Sequence, residues 1–195
     1  MAEFLFIWIP KTGGTSVYSA MKKDHRMKLI LSDYQSFNNA GSVTFGHADV
    51  RQLIAKKIVT KEYWQKCTPF LVVRNPYTRA ISLWQDFIRS NRIGPNTTLA
   101  QFLFAQSVFE RRPGLFNVMD YSQCASQVQW ILPGVKILRF ENLKREFYQL
   151  TGCDLPHMNS GNIEDPMKYY DNESIRIANE LYYDSFALLG YEMEG

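Results

Sequence analysis

Short apolar runs and helical patterns alternate along the chain. Apolar runs of strand length occupy residues 4–9, 26–31, 43–45, 69–73 and 135–140. Helical spacing of apolar residues recurs between and after them, at 17–23, 50–58, 77–91, 99–105, 121–132, beyond residue 143 and up to residue 189. Strands that alternate with helices are typical of α/β proteins with a parallel sheet. The chain is therefore predicted to fold as a central, mainly parallel sheet flanked by helices.

Polar residues, proline and glycine mark where several of these helices should begin and end. Asp49 is a candidate cap for the helix that follows it, and Asp171 for the last helix of the chain. Pro76 suits the first turn of a helix. Gly152 is placed to end the helix that precedes it.

Length and composition are those of a soluble globular protein. The 195 residues are predicted to form one domain over 1–195. The net charge of +3 suits an anionic ligand but is too small to indicate nucleic-acid binding. No apolar run approaches the ~20 residues that cross a bilayer. Ala2 and Glu3 leave no basic segment ahead of the first apolar run, so we expect a cytoplasmic protein without a membrane span.

The first apolar run leads without a spacer into a loop that can bind an anion. Gly13 and Gly14 permit positive φ and a close approach of the backbone, so that successive N–H groups can converge on one ligand. Thr15 and Ser16 add hydroxyl donors at the start of the next helix, whose partial positive charge favours an anion. Lys11 supplies a cation beside them. Strand, glycine loop and helix together predict an anion site.

The position of the lysine distinguishes this loop from that of nucleoside triphosphatases. The Walker pattern places its lysine after the last glycine, whereas Lys11 precedes both glycines. The stretch Pro10–Ser16 resembles instead the 5′-phosphosulfate loop of sulfotransferases that use 3′-phosphoadenosine 5′-phosphosulfate (PAPS). In their carbohydrate-type branch the usual form is P-K-T-[GA]-[GS]-T-S.

A second motif lies about sixty residues further along. Arg74 directly follows an apolar run, and a buried arginine in that position needs an anionic partner. Ser82 follows about two helical turns later, so the two can converge only if the helix leans back across the strand end. The segment is similar to the family pattern [FV]-x-R-[DNH]-P-x-x-R-x-x-S, whose arginine and serine hold the cofactor's 3′-phosphate. Arg79 and Arg89 are expected on a solvated helix face.

Three further segments carry the resemblance to the end of the chain. The order of apolar run, Glu141–Asn142–Leu143 and helix is a family feature, and residues 155–160 resemble a loop that lies over the adenosine in bacterial members. The final helix resembles the family's last one. The chain is thus identified as similar to carbohydrate-type sulfotransferases, related to heparan sulfate 2-O-sulfotransferases and small bacterial members. This implies a P-loop-like three-layer fold.

His47 is the candidate general base. It follows the apolar run 43–45, and the carboxyl ends of strands are where ligands bind in open α/β sheets. Phe45–Gly46–His47 resembles the second half of the H-G-H element that holds the base in the heparan sulfate 2-O-sulfotransferase group, with Phe45 replacing the first histidine. A neutral imidazole near its ordinary pKa of about 6.5 can accept the proton of an attacking hydroxyl. Asp49 is a reserve base.

The resemblance implies in-line sulfuryl transfer from PAPS, with adenosine 3′,5′-bisphosphate (PAP) as product and a glycan hydroxyl as acceptor. Lys11 and His47 are the catalytic candidates, and no metal ion is expected. Two alternatives stay open: a phosphoryl transferase with a variant loop, and an inactive module that binds the cofactor. Four aromatic residues could stack on sugar rings or belong to the core, namely Tyr34, Phe37, Trp84 and Phe116. The implied cofactor-binding residues are Lys11, Thr12, Gly13, Gly14, Thr15, Ser16, Arg74 and Ser82.

Overall fold

A parallel sheet forms the centre of the computed structural model, which describes residues 3–21, 47–55, 57, 59–108, 121–156 and 163–195. Its described strands, in the spatial order β1-β2-β3, are β1 (Phe4–Ile7), β2 (Thr68–Val73) and β3 (Lys136–Arg139). Phe4 lies opposite Thr68, and Phe70 lies opposite Lys136. The strands predicted at 26–31 and 43–45 fall outside the described residues.

Helices follow the strands as the alternating pattern predicts. The described α-helices are α1 (Gly14–Met21), α2 (Val50–Ala55), α3 (Lys61–Lys66), α4 (Pro76–Arg89), α5 (Leu99–Val108), α6 (Leu143–Thr151), α7 (Asn172–Leu181) and α8 (Tyr183–Leu189). Short 3-10 helices occupy Tyr121–Cys124, Gln127–Trp130, Phe140–Asn142 and Pro166–Tyr169. None of the helices in this part of the chain has both the length and the apolar composition needed to cross a membrane.

The core has three layers because alternate strand residues face opposite sides of the sheet. One face packs against α1 and α6 through Phe4, Phe6, Phe70, Val72 and Leu138. The other face packs against α2, α8 and the turn that holds Trp130 through Leu5, Ile7, Leu71 and Val73. A further apolar cluster joins α4 to α5, α7 and α8. The predicted α/β fold, a parallel sheet with helices on both faces, is confirmed.

The predicted helix caps are present. Asp49 Oδ1 accepts a hydrogen bond from Gln52 N at 2.9 Å and so caps α2. Asp171 forms a capping box with Ser174 at the start of α7. Gly152 ends α6 in the left-handed region, at φ 72°. These caps satisfy helix-end groups that have no partner within the helix, which is why the sequence predicts the boundaries well.

Two predicted helices are interrupted. The predicted helix over 121–132 is wrong: the segment forms two 3-10 turns, and the buried Arg79 side chain binds the carbonyl oxygens of Gln123 and Ala125 at 2.7 and 3.1 Å. A continuous α-helix would bond those carbonyls to its own N–H groups. The last helix breaks at Tyr182 between α7 and α8.

Candidate functional site

A cleft of about 1170 Å³ opens at the carboxyl edge of the sheet. Trp8 follows β1 directly, Arg74 follows β2 and Phe140 follows β3, and all three line it. Parallel strands bring their carboxyl ends to one edge, which explains why residues far apart in sequence meet here. Of the residues expected to bind the cofactor, the cleft brings together Lys11, Gly13, Gly14, Thr15, Ser16, Arg74 and Ser82.

The glycine loop, the stretch Pro10–Ser16, borders the cleft and passes directly into α1. Gly13 has φ 86°, and its carbonyl accepts hydrogen bonds from Ser16 N and Val17 N at 3.0 and 3.3 Å. Among the described residues, no group accepts a hydrogen bond from the backbone N–H of Gly14 or Thr15. The first N–H groups of a helix have no partner within it and carry partial positive charge. Both residues line the cleft, so this loop has the chemistry of an anion site.

Packing against Trp8 imposes a second requirement on the loop. A Cβ built on Gly14 would overlap the indole ring of Trp8, with its Nε1 nearest. A Cβ built on Gly13 would lie 3.0 Å from a side-chain carbon of Leu143. The absence of a side chain at these two positions lets the loop fit closely beneath its neighbours.

Thr12 differs from the rest of the loop. Its side chain is fully buried, and Oγ1 donates a hydrogen bond to the carbonyl of Ile9 at 2.9 Å. Thr12 does not line the cleft. The structure therefore gives its side chain a role in closing the turn between β1 and the loop, and does not bring it to the candidate site.

Arg74 is buried at the end of β2. Its Nε donates to Thr78 Oγ1 at 3.0 Å, and Nη1 donates to the carbonyl of Lys11 at 3.3 Å. The guanidinium group lies 4.2 Å from the centre of the Phe140 ring. Burial lowers the pKa of Arg74 to about 10, and the carboxylate of Glu141 opposes this shift. The side chain is thus a partly desolvated cation at neutral pH, and it lines the cleft.

One face of α4 forms a wall of the cleft. Ser82, Gln85, Asp86 and Arg89 line it, at the spacing that places residues on one side of a helix. Arg74 and Ser82 therefore meet in the same cleft, as the second motif predicts. The Arg89 side chain is 68% exposed, which agrees with the expected solvated position.

Arg79 contradicts its predicted place on a solvated helix face. It is 1% exposed, and its Nε donates to the carbonyl of Pro10 at 3.0 Å. Its other nitrogens bind the carbonyls of Gln123 and Ala125. Arg79 therefore connects the glycine loop to the 3-10 segment, and this role depends on contacts distant in sequence that helical periodicity does not reveal.

Lys11 extends across the cleft to a residue that the sequence motifs do not identify. Its Nζ lies 3.0 Å from Asp86 Oδ1, and both side chains are partly exposed. Lys11 has φ 64°, in the left-handed region of the backbone that residues other than glycine rarely adopt. The one available signal in the sequence is that Asp86 lies one helical turn after Ser82.

His47 lies in the cleft as a neutral imidazole. Its Nδ1 is 3.0 Å from the carbonyl oxygen of Trp8, which can only accept, so Nδ1 carries the proton and Nε2 has the free lone pair. Burial lowers the pKa of His47 to about 4, with smaller contributions from Arg79 and Lys11, although the hydrogen bond to Trp8 opposes the shift. In the free protein the pKa of His47 therefore lies below the ordinary value of about 6.5 on which its choice as base was based. The geometry leaves Nε2 able to accept a proton.

The reserve base Asp49 is buried and does not line the cleft. Its carboxylate caps α2, while its own N–H donates to Gln52 Oε1 at 3.0 Å. The structure thus gives Asp49 a role in the helix terminus and does not bring it together with the other candidates.

Of the four aromatic candidates for sugar stacking, only Trp84 lies within the described residues. Trp84 donates from Nε1 to the carbonyl of Thr97 at 2.9 Å, packs against the apolar cluster of α4, α5, α7 and α8, and does not line the cleft. Tyr34, Phe37 and Phe116 lie outside the described residues. In the sequence Trp8 belongs to the first apolar run, which predicts a buried position. Its side chain nevertheless lines the cleft and lies edge to face with His47, at 5.4 Å between ring centres.

Comparison with known proteins identifies the family. A family model described as the sulfotransferase family matches residues 2–129, a range that contains the glycine loop, His47, Arg74 and Ser82. No curated protein and no solved structure matches the chain. The match covers more than half of the chain. The chain belongs to the sulfotransferase family.

Proposed function

We propose that the protein transfers the sulfuryl group of PAPS to an acceptor hydroxyl, and that the acceptor is a carbohydrate. Family membership supports sulfuryl transfer in general. PAPS is proposed as the donor because the glycine loop and the Arg74–Ser82 pair line one cleft with His47. The two motifs supply separate anion sites, as a donor with a 5′-phosphosulfate and a 3′-phosphate requires.

The cleft suits a ligand of this size and charge. Its volume of about 1170 Å³ compares with about 300–1,000 Å³ for typical small-molecule sites. Lys11 and Arg74 provide cations, and the N–H groups of Gly14 and Thr15 provide donors with no partner among the described residues. Arg74 is held by Thr78 and by the loop carbonyl of Lys11, so the binding geometry is largely formed in advance.

In this proposal each motif binds one end of the donor. The first turn of α1, with Thr15 and Ser16, holds the 5′-phosphate by N–H and hydroxyl donors. Arg74 and Ser82 hold the 3′-phosphate, because a partly desolvated guanidinium group binds phosphate strongly. When bound, PAPS supplies the sulfuryl group that is transferred.

Two side chains carry the chemistry. Lys11 neutralises the negative charge that develops on the phosphate side of the breaking bond, a position where magnesium acts in nucleoside triphosphate enzymes. His47 accepts the proton of the acceptor hydroxyl at Nε2, because Nδ1 is committed to the Trp8 carbonyl. Positioning and electrostatic stabilisation supply most of the rate acceleration.

A carbohydrate acceptor is supported by two features. The loop sequence resembles the carbohydrate-type branch of these enzymes. Trp8 also places an aromatic side chain in the cleft beside His47, next to the point at which an acceptor hydroxyl would lose its proton. Indole rings provide large apolar contact surfaces for ring-shaped ligands.

A transfer screen with ³⁵S-labelled PAPS tests this function, using glycan, phenol and small-alcohol acceptors. We expect label on a glycan, and a loss of about 10²- to 10⁴-fold in rate for His47→Ala at saturating donor, the range for a lost general base. Labelling of phenols alone would contradict the carbohydrate acceptor. PAP binding without transfer to any acceptor would indicate an inactive module.

Melting temperatures measured with different nucleotides distinguish the proposed function from the phosphoryl-transfer alternative. PAP should raise the melting temperature more than ATP with magnesium does, because only PAP carries a 3′-phosphate for Arg74 and Ser82. Equal stabilisation by both ligands, together with turnover of ATP, would contradict the proposed donor.

A further inference from the structure

Asp86 occupies an unfavourable place for a carboxylate. It lies in the last turn of α4, where the partial negative charge of the helix terminus disfavours another negative charge. It also lines a cleft that we propose binds an anion. A residue that opposes both helix stability and the charge of the ligand is expected to have a compensating role.

Three cations surround this carboxylate. Asp86 Oδ1 lies 3.0 Å from Lys11 Nζ and 3.6 Å from Arg89 Nη2, and Oδ2 lies 2.8 Å from Arg92 Nη2. The two oxygens therefore have different partners. One faces the lysine of the glycine loop, and the other faces the turn at the end of α4.

Arg92 holds Asp86 firmly. Its Nε donates to Ser90 Oγ at 2.8 Å, and its guanidinium group lies 3.7 Å from the centre of the Phe87 ring. A guanidinium group stacked on an aromatic ring and bound at two nitrogens has little freedom to move. Arg92 thus fixes the orientation of the Asp86 carboxylate and the direction in which Oδ1 points.

Lys11 is consequently held at both ends. Arg74 Nη1 binds its carbonyl at 3.3 Å while its backbone adopts φ 64°, and Asp86 Oδ1 binds its ammonium group. A free lysine side chain has several rotatable bonds and loses considerable entropy when it is ordered. The contact with Asp86 orders this side chain before any ligand arrives.

We propose that Asp86 is a positioning residue that holds the Lys11 ammonium group at the place where it stabilises the transferred group. This role rests on the proposed sulfuryl transfer. Asp86 itself repels the anionic donor, so it weakens donor binding and improves the rate of the transfer step. The cost in affinity is accepted because preorganised charge acts more strongly on the transition state than on the ground state.

The two effects predict a distinctive result for Asp86→Asn. The kcat for transfer should fall by about 10- to 100-fold, since a misplacement of about 1 Å can cost on the order of 100-fold. The Kd for PAP should stay unchanged or become up to about fivefold tighter, as expected for loss of a partly exposed charge. The melting temperature should not fall by more than a few degrees, because the change also removes an unfavourable charge from the helix end.

A double-mutant cycle with Lys11→Ala measures the coupling directly. If Asp86 acts through Lys11, adding Asp86→Asn to Lys11→Ala should change kcat by less than twofold. Glu180→Gln is the matched control: Glu180 pairs with Arg176 at 2.7 Å on the exposed side of α7, and this variant should leave both kcat and Kd unchanged. Asp86→Glu should recover part of the lost kcat.

The outcomes separate this role from the proposed function. Absence of transfer by the wild-type protein would contradict both. Transfer by the wild-type protein with an Asp86→Asn kcat within twofold of it would contradict the role of Asp86 alone. The role would also be overturned if Asp86→Asn lowered kcat equally in the wild-type protein and in Lys11→Ala. Weaker PAP binding by Asp86→Asn would overturn it as well. If Asp86→Asn fails to fold, Asp86→Glu in the same cycle decides, because it retains the charge and displaces the carboxylate.

Discussion

Gln127 binds the backbone of Arg74 with both ends of its side-chain amide. Its Oε1 accepts from Arg74 N at 2.8 Å, and its Nε2 donates to the Arg74 carbonyl at 2.8 Å. Gln127 is 1% exposed, so these bonds lie away from water. The arginine that we propose binds the 3′-phosphate is therefore fixed by a residue more than fifty positions further along the chain.

Gln127→Ala should weaken PAP binding as well as the fold. Loss of the amide leaves the N–H and carbonyl of Arg74 buried without these partners, at a cost of about 1–3 kcal/mol for each group. The free energy of unfolding and the Kd for PAP should both be measured. We expect a Kd about 10-fold weaker, because Arg74 loses its fixed position.

Gln106→Ala is the control for this prediction. Gln106 is also fully buried, and its Oε1 accepts from Tyr182 Oη at 2.6 Å. Tyr182 does not line the cleft, whereas Arg74, the partner of Gln127, does. This variant should lose stability and retain wild-type affinity for PAP in its folded form. Similar weakening of PAP binding in both variants would show that Gln127 acts only through general stability.

Gly14→Ala should destabilise the protein through contact with Trp8. The added methyl group overlaps the indole ring, and overpacking of this kind costs about 1–3 kcal/mol. At about 2–4 °C per kcal/mol for a chain of this size, the loss is visible in a melting curve. Gly94→Ala is the control, since the nearest atom to its new Cβ is Thr97 Oγ1 at 3.7 Å. Equal melting temperatures for the two variants would contradict the packing described for the loop.

The lowered pKa of His47 predicts that stability depends on pH. Its pKa is about 4 in the folded protein and near 6.5 in the unfolded chain, so the unfolded chain takes up the proton first as the pH falls. This contribution to stability is complete above pH 6.5 and is lost progressively towards pH 4, by up to about 3 kcal/mol. His47→Asn keeps an N–H for the Trp8 carbonyl and cannot titrate.

Urea unfolding at pH 7 and pH 5 tests this prediction. Between these values the wild-type protein should lose about 2 kcal/mol more than His47→Asn does. The other histidines and the carboxylates are common to both proteins, so their contributions cancel. An identical pH dependence of the two proteins would show that His47 is accessible to water and titrates near its ordinary pKa.

The sequence predicts the parts of this site that depend on local order. Gly13 and Gly14 between a strand and a helix indicate an anion loop, and Arg74 at the end of a strand indicates a buried cation. Asn75 caps α4, the helix that carries Ser82, by accepting from Tyr77 N at 2.9 Å. Each of these features follows from neighbours in the chain.

Features that depend on distant partners are not predicted. The environment of Arg79 is set by carbonyls of Pro10, Gln123 and Ala125, and helical spacing alone places it on a polar surface. The same bonds occupy two carbonyls that a continuous helix over 121–132 would bond to its own N–H groups. The lowered pKa of His47 likewise results from burial and from cations on other elements, which its own sequence context does not contain.

The central claim is that Arg74 recognises a 3′-phosphate while the glycine loop binds the 5′ end of the same ligand. Calorimetric titration of wild-type protein and Arg74→Ala with PAP and with adenosine 5′-monophosphate tests it most directly. In the wild-type protein PAP should bind about 10- to 150-fold more tightly than adenosine 5′-monophosphate does. This ratio is the equivalent of about 1.5–3 kcal/mol, the usual contribution of a charged hydrogen bond. In Arg74→Ala the two ligands should bind within about threefold of each other. A folded Arg74→Ala variant that keeps the wild-type preference for PAP would contradict the account.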